Sequence, residues 1–158
     1  EVVVTSLQVP ESFTGNDAEV VDVLPPDAAS IDLSEAPRII CGGAGIQTSS
    51  TFHALFDIAE ELSASVGATR VITDRSWVEH QRQIGTTGVV VNPQLYIALG
   101  VSGAVQHTSG LGQPEHIVSI NTDPHCPMMQ LADLGIVSDA NEVLPALLAA
   151  LQKRKSNA

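Results

Sequence analysis

Short apolar runs alternate along this chain with longer amphipathic stretches, and the alternation predicts most of its elements. RIIC (38–41) reads as a short buried strand that runs into a glycine turn, GGAG. Phe52, Leu55, Phe56, Ala59 and Leu62 recur at helical spacing, with Ser49 or Ser50 as the expected cap. TRVITD (69–74) predicts the next strand, WVEHQRQIG (77–85) a helical turn or two, and GVVV (88–91) a third strand. LYIALGVSG (95–103) supplies the central strand, and AVQHTSG (104–110) a short helix with Ser102 as a good N-cap. HIVSIN (116–121) and LGIVSD (134–139) are the remaining strands. The closing helix aligns Leu144, Leu147, Leu148 and Leu151 on one stripe, and Pro145 is expected in its first turn, where a missing N–H is harmless.

Strands alternating with helices predict an α/β fold, a doubly wound parallel sheet flanked by helices, with any ligand beyond the carboxyl ends of the strands. Composition agrees: 44% of the residues are hydrophobic but only 3% aromatic, so the core is built from Val, Ile, Leu and Ala, as under a parallel sheet. The candidate residues Ser102, Asn121 and Asp139 follow strands as expected, but Thr69 and Arg70 would open theirs, at the opposite end.

The 158 residues suffice for one ordinary domain. The chain starts at Glu1 without Met, inside a strand-like run, VVVTSLQV, and reads as a fragment lacking an upstream domain, whose last strands, by the family resemblance described below, would be 2–9 and 20–23. The acidic, proline-containing stretch 24–37 reads as a linker. The expected organisation is therefore 1–37 as terminal strands plus linker and 38–158 as the binding domain. Net charge is −11, with eight acids and no Lys or Arg in residues 1–37, so nucleic acid is not an expected partner. No run approaches a membrane span, and two widely spaced cysteines, Cys41 and Cys126, suggest a reducing compartment.

Chemistry concentrates in 69–107. Two small-residue loops, QIGTTG (83–88) and GVSGAVQH (100–107), lie near Arg70, and a helix start after small residues offers backbone N–H groups to a phosphate. From the residues alone each has a plainer reading. Arg70 pairs on the surface with Asp74 or another acid, the QIGTTG loop is a turn, Ser102 a cap, His107 a packed or solvated side chain, and Asn121 and Asp139 cap the helices that follow. His107, His116 and His125 are evenly spaced but separated by helix, loop and strand, so no metal site is expected.

The same residues carry a resemblance. Arg70 and Asp74 (R-x-x-x-D), QIGTTG, P-x-LYIALGVSGAVQH and the segment 117–147 resemble the FAD-binding C-terminal domain of the electron transfer flavoprotein alpha subunit, over about residues 38–151. The resemblance implies FAD as cofactor and a Rossmann-like fold. It implies an electron carrier, with no substrate turnover of its own, that takes electrons from flavin dehydrogenases and pairs with a beta subunit. The implied location is the bacterial cytoplasm or the mitochondrial matrix. The cofactor residues it implies are Thr69, Arg70, Gln83, Ile84, Gly85, Thr86, Thr87, Ser102, Gly103, Ala104, Val105, Gln106, His107, Asn121, Asp139 and Ala140. Among them Arg70 would lie against the flavin ring, Thr87 near its N5, and His107, with partial or full positive charge, at the pyrimidine carbonyl. Asn121 and Asp139 would contact the adenosine end. One departure stands out: where the family commonly has G-R-G after its first strand, this chain has Ala44 in GGAG. An alternative reading is a non-redox nucleotide-binding assembly or regulatory module on the same fold.

Overall fold

The computed structural model describes residues 32–156 and, before them, Val21 alone. The expectations for 2–9, for 20–23 apart from Val21, and for most of the linker lie outside those residues. Five parallel strands form one sheet: β1 (Arg38–Gly42), β2 (Ser65–Ala68), β3 (Leu95–Leu99), β4 (His116–Asn121) and β5 (Leu134–Val137), in the order β2-β1-β3-β4-β5. β3 is central, with Leu95 in register with Arg38 on one side and His116 on the other.

Neighbouring residues on β1 face opposite layers, which explains why the run is apolar throughout. Ile40 packs with Phe52, Leu55, Leu99 and Leu144, beneath α1 (Ser49–Leu62) and α5 (Ala140–Ser156). Ile39 and Cys41 pack with Tyr96, Ala98, Ile84 and Met128, beneath α4 (Pro127–Leu131) and the loop 83–91. With both faces covered, alternation of polar and apolar positions disappears and only continuous hydrophobicity remains. Leu33 and Ala36, in the stretch read as linker, are buried in this second layer.

Several expectations need correction. TRVITD is not a strand: its residues form α2 (Arg70–Asp74). The edge position is taken by SVGA, which is β2. That strand hides in the sequence because it must be small; a Cβ on Gly67 would lie 2.6 Å from Ile84 Cδ1. Thr69 N–H makes the last bond to the neighbouring strand, at Gly42 O, and Thr69 O then accepts from Ile72 N, so the chain turns directly into a helix. The misplaced end of Thr69 and Arg70 is thereby resolved: they follow β2 at its carboxyl end.

GVVV makes only single bridges, Val89 with Ile84 and Val91 with Leu111, while Val90 is exposed. β1 and β4 already flank β3 on both sides, so these valines close a loop over the core instead of extending the sheet. The cap of α1 is Thr48, whose Oγ1 accepts from Thr51 N at 3.1 Å; Ser49 is already helical. Ser102 caps nothing, because α3 (Val105–Thr108) starts after Ala104. Pro145 is the sixth residue of α5, past the first turn, so the carbonyl of Asn141 lacks its helical donor although the helix continues. The short helix α4, started by Pro127 at its first turn, was not anticipated. Among the described residues no helix is long and apolar enough to cross a membrane.

Candidate functional site

A cleft of about 390 Å³ opens at the carboxyl edge of the sheet. It is built by the turn after β2 (Thr69, Arg70, Val71), the loop 83–87, the segment after β3 and, from the turn after β1, Ala44. The order β2-β1-β3 means that the chain leaves β1 in one direction and returns on its other side, and clefts form where those connections part.

Twelve of the sixteen sequence-derived residues line this cleft: Thr69, Arg70, Gln83, Ile84, Gly85, Thr86, Thr87, Ser102, Gly103, Ala104, Gln106 and His107. Val105 does not, and its side chain is 73% exposed. Asn121, Asp139 and Ala140 also lie outside it. The Asn121 amide donates to Val101 O and its Oδ1 accepts from Asp123 N. Asp139 accepts from the backbone and side chain of Asn141, and those bonds hold its carboxyl below the usual carboxylate range. Asn141, which sequence reading passed over, ties two turns together: its Nδ2 donates to Gly45 O and its Oδ1 accepts from Gln47 N.

The segment 102–106, all of it but Val105 lining the cleft, supplies a polar feature of its wall. Among the described residues no acceptor meets the backbone N–H groups of Ser102, Gly103, Ala104, Val105 or Gln106. Gly103 has φ +78 and would drive a Cβ to 2.4 Å from Met128 N, so only glycine permits this path. Consecutive free N–H groups around a left-handed residue form a concave anion receptor. Elsewhere in the lining of the same cleft, Thr69 Oγ1 is buried without a hydrogen-bond partner. An orphan hydroxyl costs free energy unless a ligand meets it, so this atom and the free amides both fit a polar, anionic guest.

The loop 83–87 is fixed from within. Gln83 is buried, its Oε1 2.7 Å from Thr73 Oγ1, and its Nε2 donates to Thr87 Oγ1 at 2.9 Å. Thr86 donates through both N and Oγ1 to Gln106 O, joining this loop to the opposite wall. Arg70 is largely exposed; its Nε is 3.4 Å from Asp74 Oδ2, a pair that water screens.

His107 departs from expectation. It is buried, with Nδ1 3.1 Å from Ile84 O and Nε2 2.7 Å from Tyr96 Oη. Burial pushes its pKa down to about 4 against the raising influence of the Ile84 carbonyl. At neutral pH the imidazole is uncharged and both its nitrogens are bonded inside the protein, so it presents no cation to the cleft. Tyr96, fully buried, was also missed, although a lone tyrosine in an apolar strand signals a required partner for its hydroxyl. Both described cysteines are buried free thiols, and burial pushes Cys41 up to about 12, so it is unreactive. Among the described residues no group of His, Cys, Asp and Glu is placed to hold a metal.

The family model described as the electron transfer flavoprotein FAD-binding domain matches residues 32–112. The chain is 43% identical over 135 residues to the mitochondrial electron transfer flavoprotein subunit alpha of Oryza sativa subsp. indica, covering 85% of this chain and 38% of that protein. It is 43% identical over 136 residues to the electron transfer flavoprotein subunit alpha of Bacillus subtilis, covering 86% and 42%. To the protein FixB of Azotobacter vinelandii it is 40% identical over 151 residues, covering 94% and 42%. The chain thus spans about two fifths of the length of these relatives.

Proposed function

This chain belongs to the electron transfer flavoprotein alpha family, through its FAD-binding domain, and we propose from that premise that it is an electron carrier holding FAD in the cleft at residues 69–71, 83–87 and 101–107. The observation that carries the reading is the run of free N–H groups at 102–106 in the same cleft as the orphan hydroxyl of Thr69. Bound FAD supplies the one- and two-electron chemistry; the protein sets its potential and its exposure.

The chain's own groups divide the work. The amides of 102–106 take the charged phosphate portion. Thr87 supplies a hydroxyl at the flavin edge, and Gln83 holds that hydroxyl in place. Arg70, exposed at the rim, supplies the cation that favours added negative charge on the ring. Asn121 and Asp139 stand at neighbouring strand ends, on the side where the adenosine half would extend. Electrons come from flavin dehydrogenases, and a beta subunit completes the open side of the cleft.

The test is a visible absorption spectrum of the purified chain titrated with FAD and, separately, with FMN. FAD is expected to bind with a perturbed flavin spectrum and in preference to FMN. Equal binding of the two would remove the adenosine assignment from Asn121 and Asp139. The non-redox alternative rests on Ala44, which leaves the turn after β1 without a cation; an adenine nucleotide that binds while FAD does not would establish it.

A further inference from the structure

We propose that Thr73 is a positioning residue which, through the side chain of Gln83, turns the Thr87 hydroxyl into a hydrogen-bond donor toward the cleft. The inference rests on the reading of the cleft as the seat of the flavin end of FAD.

Thr73 Oγ1 lies 2.7 Å from Gln83 Oε1, and Gln83 Nε2 donates to Thr87 Oγ1 at 2.9 Å. A hydroxyl has one proton. Because Thr87 accepts from Gln83, its own proton is left for the cleft that it lines. With the Gln83 amide reversed, Oε1 would face Thr87 and take that proton, and Thr87 would present only lone pairs to a ligand.

What selects between the two orientations is a proton at position 73. Thr73 supplies it, giving it to Gln83 Oε1 at 2.7 Å, the shorter of its two contacts, rather than to Arg70 O, one turn back at 2.9 Å. Gln83 cannot turn away to escape the choice. It is buried, its N–H donates to His80 O and its carbonyl accepts from Val89 N. In the arrangement present, a donor faces the cleft, which suits an acceptor such as a bare ring nitrogen or a ring carbonyl. Thr73 itself lies outside the cleft lining, so it acts only through Gln83.

The experiment compares Thr73→Val, Thr73→Ser and Thr87→Val by FAD titration and by the absorption spectrum of the bound flavin. Loss of one hydrogen bond predicts about fivefold weaker FAD binding for Thr73→Val, with a shifted flavin spectrum. Thr73→Ser, which keeps the proton, should return both to the parent values, and Thr87→Val should lose at least as much as Thr73→Val. If Thr87→Val weakens FAD binding while Thr73→Val matches the parent, the proposal falls and the functional reading stands. If neither variant matters, the seat of the flavin is misassigned and the proposal falls with it. Orientation is also read directly in the ligand-free parent chain by NMR. Through-space contacts from the Gln83 side-chain amide protons to Thr87 support the proposal, and contacts to Thr73 instead overturn it, even if Thr73→Val does not fold.

Discussion

The hydroxyl of Tyr96 lies 2.7 Å from Nε2 of His107, and that contact completes the assignment of the imidazole proton. The other nitrogen faces the Ile84 carbonyl at 3.1 Å, and a carbonyl only accepts, so Nδ1 carries the hydrogen. Nε2 is then bare and accepts from Tyr96. The link pins the loop containing Ile84 to the central strand. Tyr96→Phe leaves a buried nitrogen without a donor, and it should destabilise the chain by about 1–2 kcal/mol. Urea unfolding measures this; an unchanged midpoint would show that the nitrogen finds another partner.

Burial of His107 sets a pH dependence. His107 is held down to about 4 in the folded chain, whereas an unfolded histidine titrates near its ordinary value of about 6.5. Between those values the unfolded chain binds the extra proton, so stability is complete above about 6.5 and falls as pH drops toward 4. The full effect is about 3 kcal/mol. His107→Gln should remove this contribution, so the difference in unfolding free energy between parent and variant should shrink as pH falls from 7 to 4.5. A difference independent of pH would mean that His107 is not held neutral.

Arg70→Ala should leave stability within about 0.5 kcal/mol, since its pair with Asp74 is exposed. Its expected effect is on the cofactor: the potential of bound FAD moves negative, because a cation at the rim favours the reduced, more negative ring. Reductive titration of both proteins measures it. An unchanged potential with FAD still bound would leave Arg70 as a surface charge.

Ala44→Arg places a cation at the cleft between two glycines with no room for side chains, since a Cβ on Gly43 would meet Gly100 O at 2.4 Å and one on Gly45 would meet Gly100 Cα at 2.8 Å. Ala44 itself is exposed, so a longer side chain has solvent to extend into. FAD should bind more tightly by about 1–3 kcal/mol, the range of a hydrogen bond to a charged group, and with a steeper salt dependence. Equilibrium dialysis at two salt concentrations tests both. Weaker binding with an intact circular dichroism spectrum would mean that this turn is shaped for a small residue.

What the sequence determined by itself was whatever local pattern could carry. β1 and β3 were legible because strands covered on both faces are continuous apolar runs, and β4 and the edge strand β5 were legible from equally apolar runs although β5 is exposed along its length, as were α1 and the leucine stripe of α5. Small residues and glycines marked the two loops that, with Thr69 and Arg70, bring twelve of the candidate residues to one cleft. Tertiary structure decided what local pattern could not. Val71 and Ile72 have strand-forming side chains, yet they lie in a helix, because SVGA fills the edge and demands small residues against Ile84. Val89 and Val91 would suit a strand but find no free edge beside β3. Burial keeps His107 neutral, its tautomer depends on Tyr96 and Ile84, and the direction of the Thr87 proton depends on Thr73. Those partners lie 11, 23 and 14 residues away. Packing alone brings them within hydrogen-bond range, and a proton's position follows from its acceptors, which no pattern along the chain records.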